Sequence, residues 1–263
     1  MKPFVLLALI AIASHSMATP ISIGWLHHSV GRNLINDAQM RSLLDHDLYD
    51  HDYNYGCGSV CGLRYPDGSY AGHDWDIPGD GSCGDISPGG LDMLITLPSS
   101  ARDLLLAHDV VVLKSCYSDA RFYSDSELNN AKAHYLSMRA SMISFPNTFI
   151  IISPPPSHRS RVSSDVAARG RELSIWMAAL EGGNVHYFNL FGELAGDDDY
   201  LLYDYERSHY STDSHPNTRA NEIVGAVLAA YINEVAGLGT GVETSPSQTG
   251  QPTRWGTVKT IWR

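Results

Sequence analysis

Three short apolar runs most constrain the fold open to this chain: Asp109-Val-Val-Val-Leu-Lys114, Thr148-Phe-Ile-Ile-Ile-Ser153 and Asn184-Val-His-Tyr-Phe-Asn-Leu190. Runs of this length, rich in β-branched and aromatic residues, read as strands covered on both faces. Helical patterning fills the intervals. One helix is expected over Ala101–Ala107, a second opens at Ser124-x-x-Glu127 as a capping box, and a third spans about Ser164 to Leu180. Pro154-Pro-Pro156 must end the middle strand, because proline donates no ladder hydrogen bond. Upstream, Ile21-Ser-Ile-Gly-Trp-Leu26 reads as a first buried strand. Ser29–Leu44 reads as a helix with Leu34, Ile35, Leu43 and Leu44 on its apolar face, and a last helix runs from about Pro216 to Val235. Strands alternating with helices predict the α/β class, a three-layer sandwich with a central parallel sheet and ligands bound beyond the carboxyl ends of the strands. With 263 residues, 43% of them hydrophobic, one substantial core is affordable.

The flanks differ in composition. Lys2, the apolar stretch Phe4–Ala13 and the small-x-small pattern Ser16-Met-Ala18 read as a cleavable signal peptide over residues 1–18. The apolar part is shorter than the roughly 20 residues a spanning helix needs, so no stable membrane insertion is expected. The folded domain is then 19–237, secreted or periplasmic after cleavage. Export makes Cys57, Cys61, Cys83 and Cys116 disulfide candidates; of the three connectivities, Cys57 to Cys61 with Cys83 to Cys116 is preferred. Residues 45–92, rich in Gly, Asp and Tyr, form a long insertion that is either functional or stapled. Residues 238–253 read as a flexible linker. The basic, aromatic tail 254–263 reads as a frayed end or as a tag for docking on the envelope. The formal charge of −11, from 18 basic and 29 acidic residues, argues against a nucleic-acid partner and against an anionic membrane surface. A neutral ester, amide or glycan would be unaffected.

Two fragments far apart carry chemistry: His27-His-Ser-Val-Gly31 and Asp213-Ser-His-Pro-Asn217. A serine hydroxyl is a poor nucleophile until an imidazole takes its proton and a carboxylate holds that imidazole in the right tautomer. Ser29 sits at a strand-to-helix junction, where it also qualifies as an ordinary helix cap. Near that helix start, unpaired backbone N–H groups favour a developing oxyanion. Adjacent residues leaving a strand point opposite ways, so one of His27 and His28 at most faces Ser29. Pro216 suits a first helical position, which places His215 at the cap with Asp213 near enough to orient it. The dull alternative for His215 is a surface-loop histidine.

Ile23-Gly-Trp-Leu-His-His-Ser-Val-Gly-Arg-Asn33 and Asp213-Ser-His-Pro-Asn-x-x-x-Asn221 resemble the first and last blocks of the SGNH (GDSL-type) hydrolase superfamily. They are closest to a divergent secreted branch with His-His-Ser in place of Gly-Asp-Ser. Lys114-Ser-Cys-Tyr117 and Ile152-Ser-Pro-Pro-Pro156 fall between them in the order of that branch. The resemblance spans about residues 20–235 and implies a flavodoxin-like sandwich with Ser29 as nucleophile and His215 as base. The superfamily places its acid three residues before the histidine, where this chain has Thr212; Asp213 is the candidate, with Asp204 and Glu206 in reserve. The superfamily's oxyanion hole takes the serine amide, a glycine amide and an asparagine side chain. Here Ser29 and Gly90 are the candidate donors, with Gly84 and Gly89 as competitors, and Ser115-Cys-Tyr117 stands where the asparagine belongs. His28, Ser115 and Tyr117 are the candidate pocket residues.

The resulting expectation is a secreted serine esterase acting on a carboxylic ester, with an acylated carbohydrate as the candidate substrate. The aromatic groups Tyr53, Tyr55, Tyr65, Tyr70 and Trp75 fit the stacking of sugars. Two other readings stand beside it. One is a non-catalytic glycan-binding or envelope protein on the same scaffold. The other is a metal-dependent phosphoesterase with His27, His28, Asp213 and His215 as ligands. No cofactor is expected, and no metal: the cysteine and histidine spacings match no zinc pattern, and Asp67, Asp74, Asp76, Asp80 and Asp85 lack calcium-loop spacing.

Overall fold

The β-branched residues of the central runs have no polar side to turn outward, so they form the middle of a sheet with helices on both faces. The computed structural model describes residues 20–52, 62–71 and 87–238. Its sheet has six strands in the order β3-β2-β1-β4-β5-β6: β1 (Ser22–His27), β2 (Asp47–Asp52), β3 (Gly62–Arg64), β4 (Val110–Lys114), β5 (Thr148–Ile152) and β6 (Val185–Phe188). Every neighbouring pair is parallel except β2 with β3 at one edge. The expected three-layer α/β/α sandwich is the observed one.

Alternating side chains divide the core. Ile23, Trp25, Val110, Val112, Ile150 and Ile152 pack beneath α1 (Ser29–Asp37), α2 (Met40–Leu43), α7 (Leu190–Leu194) and α8 (Thr218–Leu238). On the other face Leu26, Val111, Leu113, Phe149 and Ile151 meet α3 (Pro88–Thr96), α4 (Ser100–Leu106), α5 (Asp125–Met142) and α6 (Ser164–Met177). After β1 the chain builds outward to β2 and β3, and then returns to add β4 on β1's other side. The crevice where the order reverses lies beyond the carboxyl ends of β1 and β4, the usual ligand position in open α/β sheets.

Several elements depart from expectation. The helix predicted over Ser29–Leu44 is two helices, broken at Gln39, whose φ of 52° is left-handed. The segment 45–92 is not an insertion from its first residue, because β2 and β3 extend the sheet. In β2, Asp50, His51 and Asp52 are buried, and buried charges need partners. Asp50 takes Arg41 and the His27 Nε2 (3.2 Å), while Asp52 takes Arg32. At α5 the Ser124 Oγ accepts from the Glu127 amide (3.2 Å), but Glu127 returns its carboxylate to the Tyr123 amide (2.6 Å), one residue before the cap, so the box is offset. The last helix begins at Thr218 with Asn217 as its cap: the Asn217 Oδ1 accepts from the Ala220 amide at 2.9 Å. His215 and Pro216 therefore precede the helix, and His215 is not its cap.

Residues 1–18, Cys57, Cys61, Cys83, Tyr53, Tyr55, Trp75, Gly84, Asp74, Asp76, Asp80, Asp85 and the tail 254–263 lie outside the described residues, along with the disulfide pairings expected of those cysteines. Among the described residues, no helix is long and apolar enough to cross a membrane.

Candidate active site

Ser29 is the first residue of α1, directly after the β1 carboxyl end, and His28 caps that helix without a side-chain cap bond. The first amides of a helix lack the usual partners four residues back; at the α1 start the His28 carbonyl takes the Gly31 and Arg32 amides (2.7 and 3.3 Å), and the Ser29 and Val30 amides head the helix. Gly31 allows α1 to seat this low on the sheet. A Cβ there would lie 2.4 Å from the His27 Cβ, and we expect Gly31→Ala to cost about 1–3 kcal/mol, which thermal denaturation of the variant beside the wild type checks.

His27 and His28 diverge as the strand ends. His27 is fully buried and turned toward β2, its Nε2 on Asp50 and its Nδ1 3.2 Å from the His28 carbonyl. His28 faces the crevice, with its Nδ1 3.1 Å from the Ser29 Oγ and 3.7 Å from the Cys116 Sγ. The four residues considered as metal ligands therefore do not converge, since His27 points away from the other three. Among the described residues no group of three or more His, Cys, Asp or Glu is arranged to hold a metal ion.

From the other end of the chain, His215 brings its Nε2 to 2.8 Å from the Ser29 Oγ, across 186 residues of sequence. Its Nδ1 lies 2.5 Å from the Asp213 Oδ1, and that same oxygen accepts the His215 backbone N–H at 3.0 Å. The short spacing that departs from the superfamily pattern thus closes a turn in which one carboxylate oxygen takes both donors of the residue two places on. Thr212 does not reach the imidazole; its Oγ1 accepts from Arg161 at 3.4 Å. Asp204 is exposed, and only its backbone carbonyl is used, by Asn217. Glu206 is buried and lies on His209 (2.8 Å) and His158 (3.2 Å). Neither reserve carboxylate contacts His215.

Burial would push the Asp213 carboxyl up, but the His215 backbone N–H, the His215 ring and Arg207 outweigh it and hold the carboxyl below its ordinary range. Arg207 lies 3.7 Å from the Asp213 Oδ2 and donates to the Pro216 carbonyl at 3.2 Å. The loop is further held by the His158 amide on the Ser214 Oγ (3.0 Å) and by Asn217, whose Nδ2 donates to the Asp204 and Glu206 carbonyls. Sequence reasoning missed Arg207 and His158 as loop braces. Asn217 stood inside the motif, but its role depends on which carbonyls the fold brings near.

The other candidates fall differently. The Gly90 amide donates to the Ser87 Oγ at 3.1 Å as a cap of α3, so the expected oxyanion donor is engaged elsewhere. Gly89 lies in the same helix, beside His134. Ser115 is fully buried, its hydroxyl 3.1 Å from the Tyr135 OH on the α5 side of the sheet, so it lines the core rather than the pocket. Tyr117 does flank the site: its ring meets the His215 ring edge-on at 5.3 Å, and Arg121 lies over it at 4.6 Å.

Fold and site together define an α/β/α sandwich carrying a serine, a histidine and an aspartate in hydrogen-bonded series at its switch point. No family model matches the chain, and no curated protein matches it either. Among solved structures, one described as "a putative platelet activating factor from Streptococcus pneumonia" is similar at 13% identity, covering 83% of this chain and 86% of that chain with a TM-score of 0.47.

Proposed function

We propose that this protein is an exported serine esterase. The observation that carries the reading is the unbroken series from the Ser29 Oγ to His215 (2.8 Å) to Asp213 (2.5 Å). An ionised carboxylate only accepts, so the His215 Nδ1 keeps its hydrogen and the Nε2 is left to accept the serine proton. In the reaction the Ser29 Oγ bonds to the ester carbonyl carbon as its proton passes to the His215 Nε2. The tetrahedral intermediate expels the alcohol, which takes that proton, and leaves an acyl group on Ser29. Water then repeats the sequence and releases the acid. The amide at the start of α1 would bear part of the negative charge that develops on the carbonyl oxygen.

An acylated neutral carbohydrate is the proposed substrate class. The net charge of −11 does not oppose it, and Tyr65 and Tyr70 are exposed at the β3 side of the fold, where sugar rings can stack. Resemblance to the SGNH superfamily in the two terminal motifs supports the same reaction class.

The test is labelling of the purified protein with a fluorophosphonate probe, together with hydrolysis of p-nitrophenyl acetate. Labelling at Ser29 and hydrolysis that persists in EDTA are expected. Activity lost in EDTA and restored by a divalent cation would instead favour the phosphoesterase reading. Absence of both labelling and hydrolysis would favour the non-catalytic one.

A further inference from the structure

The Ser29 Oγ is contacted by two imidazoles, and only one of them has a place in the proton pathway. His215 accepts the hydroxyl proton, because its other nitrogen is committed to Asp213. A hydroxyl has one proton and two lone pairs, so the 3.1 Å contact between the Ser29 Oγ and the His28 Nδ1 must be donated by the histidine. This fixes His28 in the Nδ1–H tautomer. The Cys116 Sγ, 3.7 Å from the same nitrogen, is a weak acceptor compatible with it.

An acyl-transfer site needs donors aimed where the carbonyl oxygen becomes negative, and three candidate donors among the described residues are spent. The Cys116 amide donates to the Asp119 Oδ2 at 2.8 Å, the Gly90 amide to Ser87, and the Ser115 hydroxyl pairs with Tyr135. The Ser29 amide at the α1 start accounts for one donor. We propose that the His28 Nδ1–H is the side-chain donor that completes the oxyanion site, making His28 a catalytic residue distinct from the base. As the Oγ bonds to the acyl carbon it gives up the lone pair His28 had engaged. The carbonyl oxygen on that carbon gains a full charge within reach of the same N–H. The carbonyl π pair moves onto that oxygen, the serine proton goes to His215, and the His28 proton stays on its nitrogen throughout. His28 therefore acts as a neutral hydrogen-bond donor, and its contribution appears only as the tetrahedral species forms.

The inference rests on the esterase reading, and the experiment separates the two. The full chain and its Ser29→Ala, His28→Ala and His28→Gln variants are compared in p-nitrophenyl acetate hydrolysis and in inhibition by an alkyl boronic acid, which forms a tetrahedral adduct on an activated serine. His28→Ala is expected to lower kcat by about 10²–10³-fold with little change in KM, and to weaken boronate inhibition by a similar factor. His28→Gln, which keeps an N–H of similar reach and guards against a folding defect in the alanine variant, is expected to recover much of the loss. If Ser29→Ala is inactive while His28→Ala retains wild-type kcat and boronate affinity, the donor role is overturned and the esterase survives. Equal losses in His28→Ala and His28→Gln would assign His28 to proton transfer and likewise overturn it. Hydrolysis undiminished in Ser29→Ala would remove both proposals.

Discussion

Ser29→Ala is expected to abolish fluorophosphonate labelling and to reduce ester hydrolysis to background, with a thermal midpoint close to that of the wild type. The activity loss follows because the Ser29 Oγ is the oxygen held between His28 and His215. The small stability effect follows because Ser29 is only half-buried and caps nothing by its side chain. Labelling and hydrolysis measured alongside a thermal melt separate the two effects. Hydrolysis at the wild-type rate with an intact fold would remove Ser29 from the mechanism.

Asp213→Asn is the second variant with a large expected effect. The amide can donate as well as accept, so the imbalance that keeps the His215 hydrogen on Nδ1 is lost and the histidine can present N–H to Ser29. Triad logic puts the resulting fall in kcat at about 10⁴-fold. A fall of less than about tenfold would mean that a backbone group suffices to orient the ring. The same variant carries a pH signature in stability. The Asp213 carboxyl is held below its ordinary range in the folded protein. A depressed carboxyl stabilises the native state above its unfolded value and loses that contribution as pH falls through the folded one. The thermal midpoint of Asp213→Asn is thus expected below that of the wild type at neutral pH, with the gap closing as the pH falls below the ordinary aspartate range. The gap should be small, because the Asp213 side chain is 36% exposed. A gap that persists unchanged in acid would mean it comes from packing and not from charge.

How much of this was legible in the chain depended on whether the information is local. The strands β4 and β5 announced themselves, because Val110–Lys114 and Thr148–Ile152 are apolar without a break, and the alternation with helices was enough to give the sandwich. β2 did not. Asp-Leu-Tyr-Asp-His-Asp has the composition of a loop, and it forms a strand because His27, Arg32 and Arg41 arrive from elsewhere to meet its buried carboxylates. The start of the last helix was misplaced because Pro216 suits a first helical position. Asn217 took the cap, and a bridge between Glu206 and Pro216 holds the preceding loop extended.

At the site, the motifs located Ser29, His215 and Asp213, and the structure brings the three together. The spacing alone left Asp204 and Glu206 in reserve beside Asp213 for the acid, because sequence does not show that Asp213 can close a turn back onto His215. The oxyanion donors were the least legible part. Glycine in a suitable place suggested Gly90, yet a cap of α3 uses its amide. His28 was named as pocket lining, and its place beside the Ser29 Oγ and the Cys116 Sγ depends on which segments the fold brings together.

The joining of α1 to α8 has a consequence for how such a protein is made. Asn221 donates to Asp37 at 2.7 Å, Gly225 brings α8 so close that a Cβ would lie 2.4 Å from the Ala38 Cβ, and Ser29 and His215 meet just beyond this seam. In chain order the proposed nucleophile precedes its proposed base by 186 residues. On the esterase proposal, every partial chain shorter than the Asp213–His215 loop carries Ser29 without its proton acceptor, so hydrolysis would begin only once that loop has docked beside α1. Ester hydrolysis during refolding would accordingly be a clock for that final closure rather than for formation of the sheet.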